Sequence, residues 1–278
     1  LEEKTKGLKE YRAKVRSEYP NTFMTTLFNA MEDVELPENL DTADRKAAYW
    51  YMRNHFFDPF DLQDMRLLRT PIFEPKLVTY FEKVVPQQPD SVLAEAHKLI
   101  KKVEGDEEMF KFVVHKLTSM FERSQVMCMD KAFVGMVEAY YKTGKATWLN
   151  DSTLAKVVER SDKLAPLLCG EKIPNIILPD TSMKVWHNLY AQNADYTVLY
   201  FWDATCGHCK KATPKLGEVY NEFLKPNGIP VFSVEGEVET TKWKAFVKEH
   251  NLPFISVSDH PVMREKPEDF VPSQTTLN

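Results

Sequence analysis

The spacing of apolar residues changes once along this chain of 278 residues, and that single change fixes how it can be built. From Leu1 to about Leu168 apolar side chains recur at helical intervals, in segments separated by Pro and Asp clusters of the kind that stop and restart helices. After Pro166 short apolar runs alternate with helical stretches, which is the pattern of an α/β sheet. The expected organisation is therefore multidomain, with an all-helical domain over residues 1–168 and an α/β domain over 169–278. A length of 278 residues independently favours two cores over one.

Within the first part, Gln88-Pro89-Asp90-Ser91 leads into Val92, Leu93, Ala96, Leu99, Ile100 and Val103, one apolar stripe that ends before Gly105. Further helices are expected over Glu107 to Ser124, from Asp130 to near Gly144, and from Ser152. Upstream, Glu2 to Asp33 reads as one or two helices broken around Tyr19-Pro20-Asn21, and Asp41 to Phe57 as another. In the second part, Ile173 to Leu178 and Val185-Trp186 predict a hairpin turning at Asp180 to Lys184. Thr197 to Trp202 is a buried strand, Gly207 to Leu224 a helix, Ile229 to Val234 a second strand and Thr240 to His250 a second helix.

The net charge of −5 gives no basic field for nucleic acid, and no apolar run reaches the length of a bilayer span. Four cysteines are too few for a disulfide scaffold. Cys128 and Cys169 stand apart in apolar surroundings and read as small buried hydrophobes, with a disulfide between them as the alternative.

Cys206 and Cys209 differ, because only two residues separate them where a strand gives way to a helix. A helix N-terminus favours a thiolate, and one turn brings the two sulfurs together, so Cys206 is expected to attack and Cys209 to resolve. His208 between them can stabilise the thiolate when protonated, and Gly207 completes the dipeptide. A zinc site would need further ligands at fixed spacing, and only His187 and His208 offer themselves, so no metal and no cofactor is expected.

The run F-W-D-A-T-C-G-H-C-K-K-A-T-P resembles the active-site segment of thioredoxin-like proteins, carried by Phe201, Trp202, Cys206, Cys209, Lys210 and Pro214. Trp202, Lys210 and Pro214 would then support the site, Trp202 by packing beneath it and Pro214 by interrupting the helix. Gly170 to Asp180 is similar to the start of the TlpA/ResA-like branch. H-F-F-D-P-F-D-L-Q-D-M-R-L-L-R-T-P-I-F resembles a helical domain of unknown function fused to such domains in Bacteroidetes-type bacteria. This resemblance implies an exported thiol-disulfide oxidoreductase, periplasmic or otherwise outside the cytoplasm and with a lipid anchor left open. It would act on protein thiols and disulfides and draw electrons from a membrane or periplasmic donor. The Cys-Gly-His-Cys sequence is also that of protein disulfide isomerase, whose potential is roughly −180 mV against about −270 mV for thioredoxin, which suits reduction or isomerisation.

Three departures stand out. Position 200, where thioredoxins often carry a buried acid, is Tyr200, and position 212, where the TlpA/ResA branch often carries Glu, is Ala212. The candidate substitutes are Glu235 and Glu237, both of which read otherwise as solvated loop residues. The family also expects a cis-proline opposite the dithiol, two further strands and a last helix. Pro261 and Pro272 lack the strand run that would mark that proline, so the thioredoxin-like part is expected to be incomplete at its C-terminus and the Thr197 to Trp202 strand to have an open edge.

A second reading makes the helical half a module that captures a protein or peptide, with the other half as scaffold. Tyr49 to Phe60, with Asp58, Asp61 and Asp64, would line its groove; an aromatic core with acidic caps is the simpler reading of the same residues. The substrate protein and the oligomeric state are not fixed by these residues.

Overall fold

The computed structural model describes residues 2–38, 40, 44–236 and 240–258. The expectations placed on Glu237, Pro261 and Pro272, and on the first residues of the Asp41 to Phe57 segment, fall outside that range. Two compact units are present, Leu1–Lys172 and Ile173–Asn278.

The first unit is helical: α1 (Glu2–Glu18), α2 (Phe23–Ala30), α3 (Arg45–His55), α4 (Phe73–Thr79), α5 (Pro89–Val103), α6 (Glu107–Glu122), α7 (Asp130–Met136) and α8 (Asp151–Leu164). Side chains start several of them by accepting bonds from otherwise orphaned N–H groups. Asp44 accepts from Lys46 and Ala47, Asp106 from Met109 at 2.8 Å, and Asn150 from Thr153 at 2.8 Å. α5 begins with Pro89 in its first turn, where a missing N–H costs nothing. The stripe Val92, Ala96, Leu99, Ile100 and Val103 is buried, and it joins Phe73, Leu77, Phe81, Met109, Leu117, Phe133 and Met136 in one core.

A largely buried ion pair lies within this unit. Arg53 donates to Glu95 at 2.8 Å, and the Tyr80 hydroxyl donates to the other oxygen of Glu95 at 2.8 Å. Burial pushes the Glu95 carboxyl upward, but the bonds from Tyr80 and Arg53 outweigh it and hold the group below its usual range. The aromatic segment after α3 is core: Phe57 and Phe60 are buried, Asp61 accepts from the Gln63 N–H, Asp64 from the Arg66 N–H, and Asp58 pairs with His55. The three acids suggested for a groove thus serve local turns and one surface pair.

Cys128 and Cys169 form a disulfide, with Cα atoms 5.6 Å apart, in place of the two buried thiols expected. Cys169 is exposed and Cys128 only half-buried in the turn before α7, so neither could act as a core hydrophobe. The bond ties the end of the α8 segment back to the α6–α7 connection. The compact helical unit runs to Lys172 and so includes Cys169 and its bond.

The second unit opens with an antiparallel hairpin of β1 (Ile177–Pro179) and β2 (Trp186–Asn188), with Leu178 opposite His187. A parallel sheet follows, made of β3 (Val198–Trp202), β4 (Val231–Glu235) and β5 (Ile255–Ser258), with β4 central. α9 (Gly207–Val219) links β3 to β4, and α10 (Thr240–Glu249) precedes β5. All five residues of β4 are buried, as a strand flanked on both edges should be. An isolated bridge from Asp180 to Val257 joins the hairpin to β5. Among the described residues β3 pairs with β4 alone, and Phe201 on it is 63% exposed.

The disulfide generates a stability prediction. It closes a span of 41 residues, and on the chain-entropy account replacing both Cys128 and Cys169 by Ser costs about 4 kcal/mol. Denaturant unfolding of the double variant against the oxidised protein measures this, and an unchanged midpoint would show that the α8 end is held by its packing alone.

Candidate active site at the head of α9

β3 ends on Trp202, whose ring is buried, and the chain turns at once into Asp203-Ala204-Thr205. The Asp203 carboxylate holds this turn by accepting from the Thr205 N–H at 2.5 Å and from the Thr205 hydroxyl at 2.7 Å. The Cys206 N–H donates to the Asp203 carbonyl at 3.2 Å, and the Cys206 carbonyl accepts the first helical bond of α9, from Lys210, at 3.0 Å. Cys206 is therefore the N-cap residue and Cys209 lies in the first turn. Both are free thiols and both are half-buried.

Their proton affinities diverge. Cys206 is held below the ordinary thiol range because the N–H groups of Cys209 and His208 point at its sulfur, with a further contribution from the Cys209 thiol; the Asp203 charge opposes this. Cys209 is pushed up, first by burial and then by its position behind Cys206, although the Asp203 N–H works the other way. Cys209 packs against the cluster of Trp202, Ala204, Trp243 and Phe246. One thiol is thus prepared to ionise and its neighbour to keep its proton, the asymmetry that a mixed-disulfide exchange needs.

The structure brings together Cys206, Cys209 and Trp202, with Gly207, His208 and Lys210 exposed on the first turn of the helix. Pro214 lies inside α9, so the Lys210 carbonyl has no helical N–H to accept from. Tyr200, in place of the buried acid, contacts the fully buried Thr213 through their hydroxyls at 3.0 Å. His187 stays with the hairpin, 4.0 Å from Asp180.

Glu235 is where the sequence reading needs correcting. It is not a solvated loop residue but the last residue of β4, fully enclosed and level with Trp202 across the sheet. Its Oε1 accepts from the Ala204 N–H at 3.4 Å and its Oε2 from the Ser258 hydroxyl at 3.1 Å. Counting register between the two parallel strands from Val198 and Val231 would have found it.

Residues 3–164 match the family described as a domain of unknown function, DUF5106, and residues 169–265 match the AhpC/TSA family. A thioredoxin-like protein from Bacteroides caccae shares the fold, with a TM-score of 0.63 at 19% identity over 87% of this chain and 88% of that one. A domain of a possible thiol-disulfide isomerase from Cytophaga hutchinsonii is 31% identical over 41% of this chain and 71% of its own, with a TM-score of 0.32. The thioredoxin domain of a thiol-disulfide oxidoreductase from Bacteroides vulgatus is 25% identical over 36% and 72%, with a TM-score of 0.30. No curated protein matches the chain.

Alkylation across a pH series tests the asymmetry. Cys206 is expected to react first, its rate rising at lower pH than an ordinary thiol, with Cys209 following only at higher pH. Asp203→Asn removes a negative charge that disfavours both thiolates, so it should move the Cys206 profile to still lower pH. A move to higher pH would mean that the carboxylate matters chiefly by holding the turn.

Proposed function

The chain belongs to the DUF5106 family and carries a thioredoxin-like AhpC/TSA domain behind its helical domain, and on that footing we propose that it is an exported thiol-disulfide oxidoreductase acting on protein disulfides. The reading is carried by one observation: two free thiols at the start of α9, one lowered and one raised in proton affinity. The Cys206 thiolate attacks a substrate disulfide and forms a mixed disulfide. Cys209 then attacks Cys206, releasing the reduced substrate and leaving a Cys206–Cys209 disulfide for an electron donor on the membrane or in the periplasm to reduce.

Gly207 and His208 tune the couple, and Trp202, Lys210 and Pro214 shape the ground on which it sits. With His208 beside the thiolate the couple is more oxidising than thioredoxin, which fits reduction or isomerisation of misformed disulfides. The Cys128–Cys169 disulfide supports export, because such bonds persist where thiols are oxidised. No described helix is long and apolar enough to cross a membrane.

Equilibration in graded glutathione buffers, read by alkylation and mass, is expected to give a two-electron transition confined to Cys206 and Cys209. Cys206→Ser should abolish reduction of a protein disulfide, and Cys209→Ser should accumulate the mixed disulfide. A pair that never forms a reversible disulfide would remove the enzyme reading; binding of a partner that survives both substitutions would then favour the helical domain as a capture module.

A further inference from the structure

The helical unit carries a cleft that the dithiol chemistry does not use. Glu108, Lys111, Phe112 and His115 recur at i, i+3, i+4 and i+7, which puts them on one face of α6. That face borders the 3₁₀ helix Met65–Arg69, and the two enclose a cleft of about 440 Å³ completed by Trp148 and Leu149. The volume is that of a small-molecule site. Its apolar wall consists of Met65, Leu68, Phe112, Trp148 and Leu149, and all five are only half-buried, so neighbouring apolar surface stays in contact with water. Trp148 is held in place by meeting Phe110 and Tyr141 edge to face.

The charges around this wall do not balance. The cations nearby on the same two elements are already taken, Arg66 by Asp64 and Lys116 by Glu74. Arg69 and Lys111 form no ion pair among the described residues, and neither does Glu108. The cleft therefore sets two fixed cations against one carboxylate, with His115 as a further N–H donor. An apolar wall with a single surplus positive charge suits a molecule with an apolar body and one negative charge. A guanidinium fork matches the plane of a carboxylate, whereas a doubly charged phosphate ester would carry more charge than the cleft offsets. We propose that this cleft binds a small organic monocarboxylate, its aromatic or aliphatic body against Phe112 and Trp148 and its carboxylate at Arg69 and Lys111. The proposal uses no residue of the second unit and stands apart from the oxidoreductase reading.

The test titrates phenylbutyrate and octanoate into the full chain, followed by calorimetry and tryptophan fluorescence, with their amides and acetate as comparison probes. At least one of the two carboxylates is expected to bind saturably at one site and to bind less tightly as salt is added. Arg69→Gln and Lys111→Gln should each weaken that binding about threefold, and the amide, which forfeits both contacts, should bind about tenfold more weakly than its acid. Acetate, which keeps the charge and lacks the body, should give no saturable signal. Glu108→Gln removes the opposing charge and should tighten binding by up to about threefold. Of the five tryptophans only Trp148 lines the cleft, so Trp148→Phe should abolish the fluorescence change while calorimetric binding persists. Saturable binding of neither carboxylate overturns the proposal, as does an amide that binds as tightly as its acid. Unchanged affinity in both Arg69→Gln and Lys111→Gln, or an unaltered fluorescence change in Trp148→Phe, would put the ligand elsewhere and overturn it too. Weakening by Glu108→Gln alongside the other two would mean that all three act through the helix and not through their charge, which also refutes it.

Discussion

In a parallel sheet the strands end on the same edge, and the in-register pairing of β3 with β4 decides what meets there. Trp202 ends β3 level with Glu235, the Gly236 N–H donates to the Trp202 carbonyl at 2.9 Å, and the loop that follows Trp202 is bonded back to Glu235 through Ala204. A slip of one residue would invert every side chain of the strand, expelling Trp202 from the cluster that also covers Cys209. The thiols therefore inherit their position from the sheet. α9 supplies the N–H groups that favour the Cys206 thiolate, but only because β3 aims the chain so that the helix begins at Cys206.

β5 completes the same edge from the far side. Its Ser256 hydroxyl accepts from the Trp243 indole N–H at 2.9 Å, and its Ser258 hydroxyl donates to Glu235. Trp243 is fully enclosed, so one ring and two hydroxyls tie α10, β4 and β5 together through hydrogen-bonded polar atoms, while His208 and Lys210 on the first turn of α9 are exposed. Buried polar groups of this sort stabilise little in net terms, yet each is costly to orphan, so they fix a single arrangement of the strand ends.

Much of this was legible in the residues. The helices of the first unit followed from apolar stripes and caps, and a strand running into Cys-x-x-Cys located α9 at its observed start. What was not legible depended on partners distant in sequence. Ile255 to Ser258 alternates serine with apolar residues after a proline and carries little signal alone; pairing with β4 makes it a strand. Cys128 and Cys169 sit among apolar neighbours in sequence, but the fold leaves Cys169 exposed and brings the two Cα atoms within bonding range. Glu235 followed by Gly236 looks like a strand giving way to a solvated loop, and only the register with Trp202 reveals that the edge is covered.

The chain holds two cysteine pairs, one bonded and one free, and loop length supplies part of the reason for the difference. A bond spanning 41 residues removes more freedom from the unfolded chain than one spanning a single helical turn. On the chain-entropy account the difference is roughly 2 kcal/mol, which corresponds to about 45 mV for a two-electron couple. The remainder comes from the reduced state of the short pair, where N–H groups stabilise the Cys206 thiolate and so favour the open dithiol. Both effects act in one direction: they favour a closed Cys128–Cys169 bond over a closed Cys206–Cys209 bond.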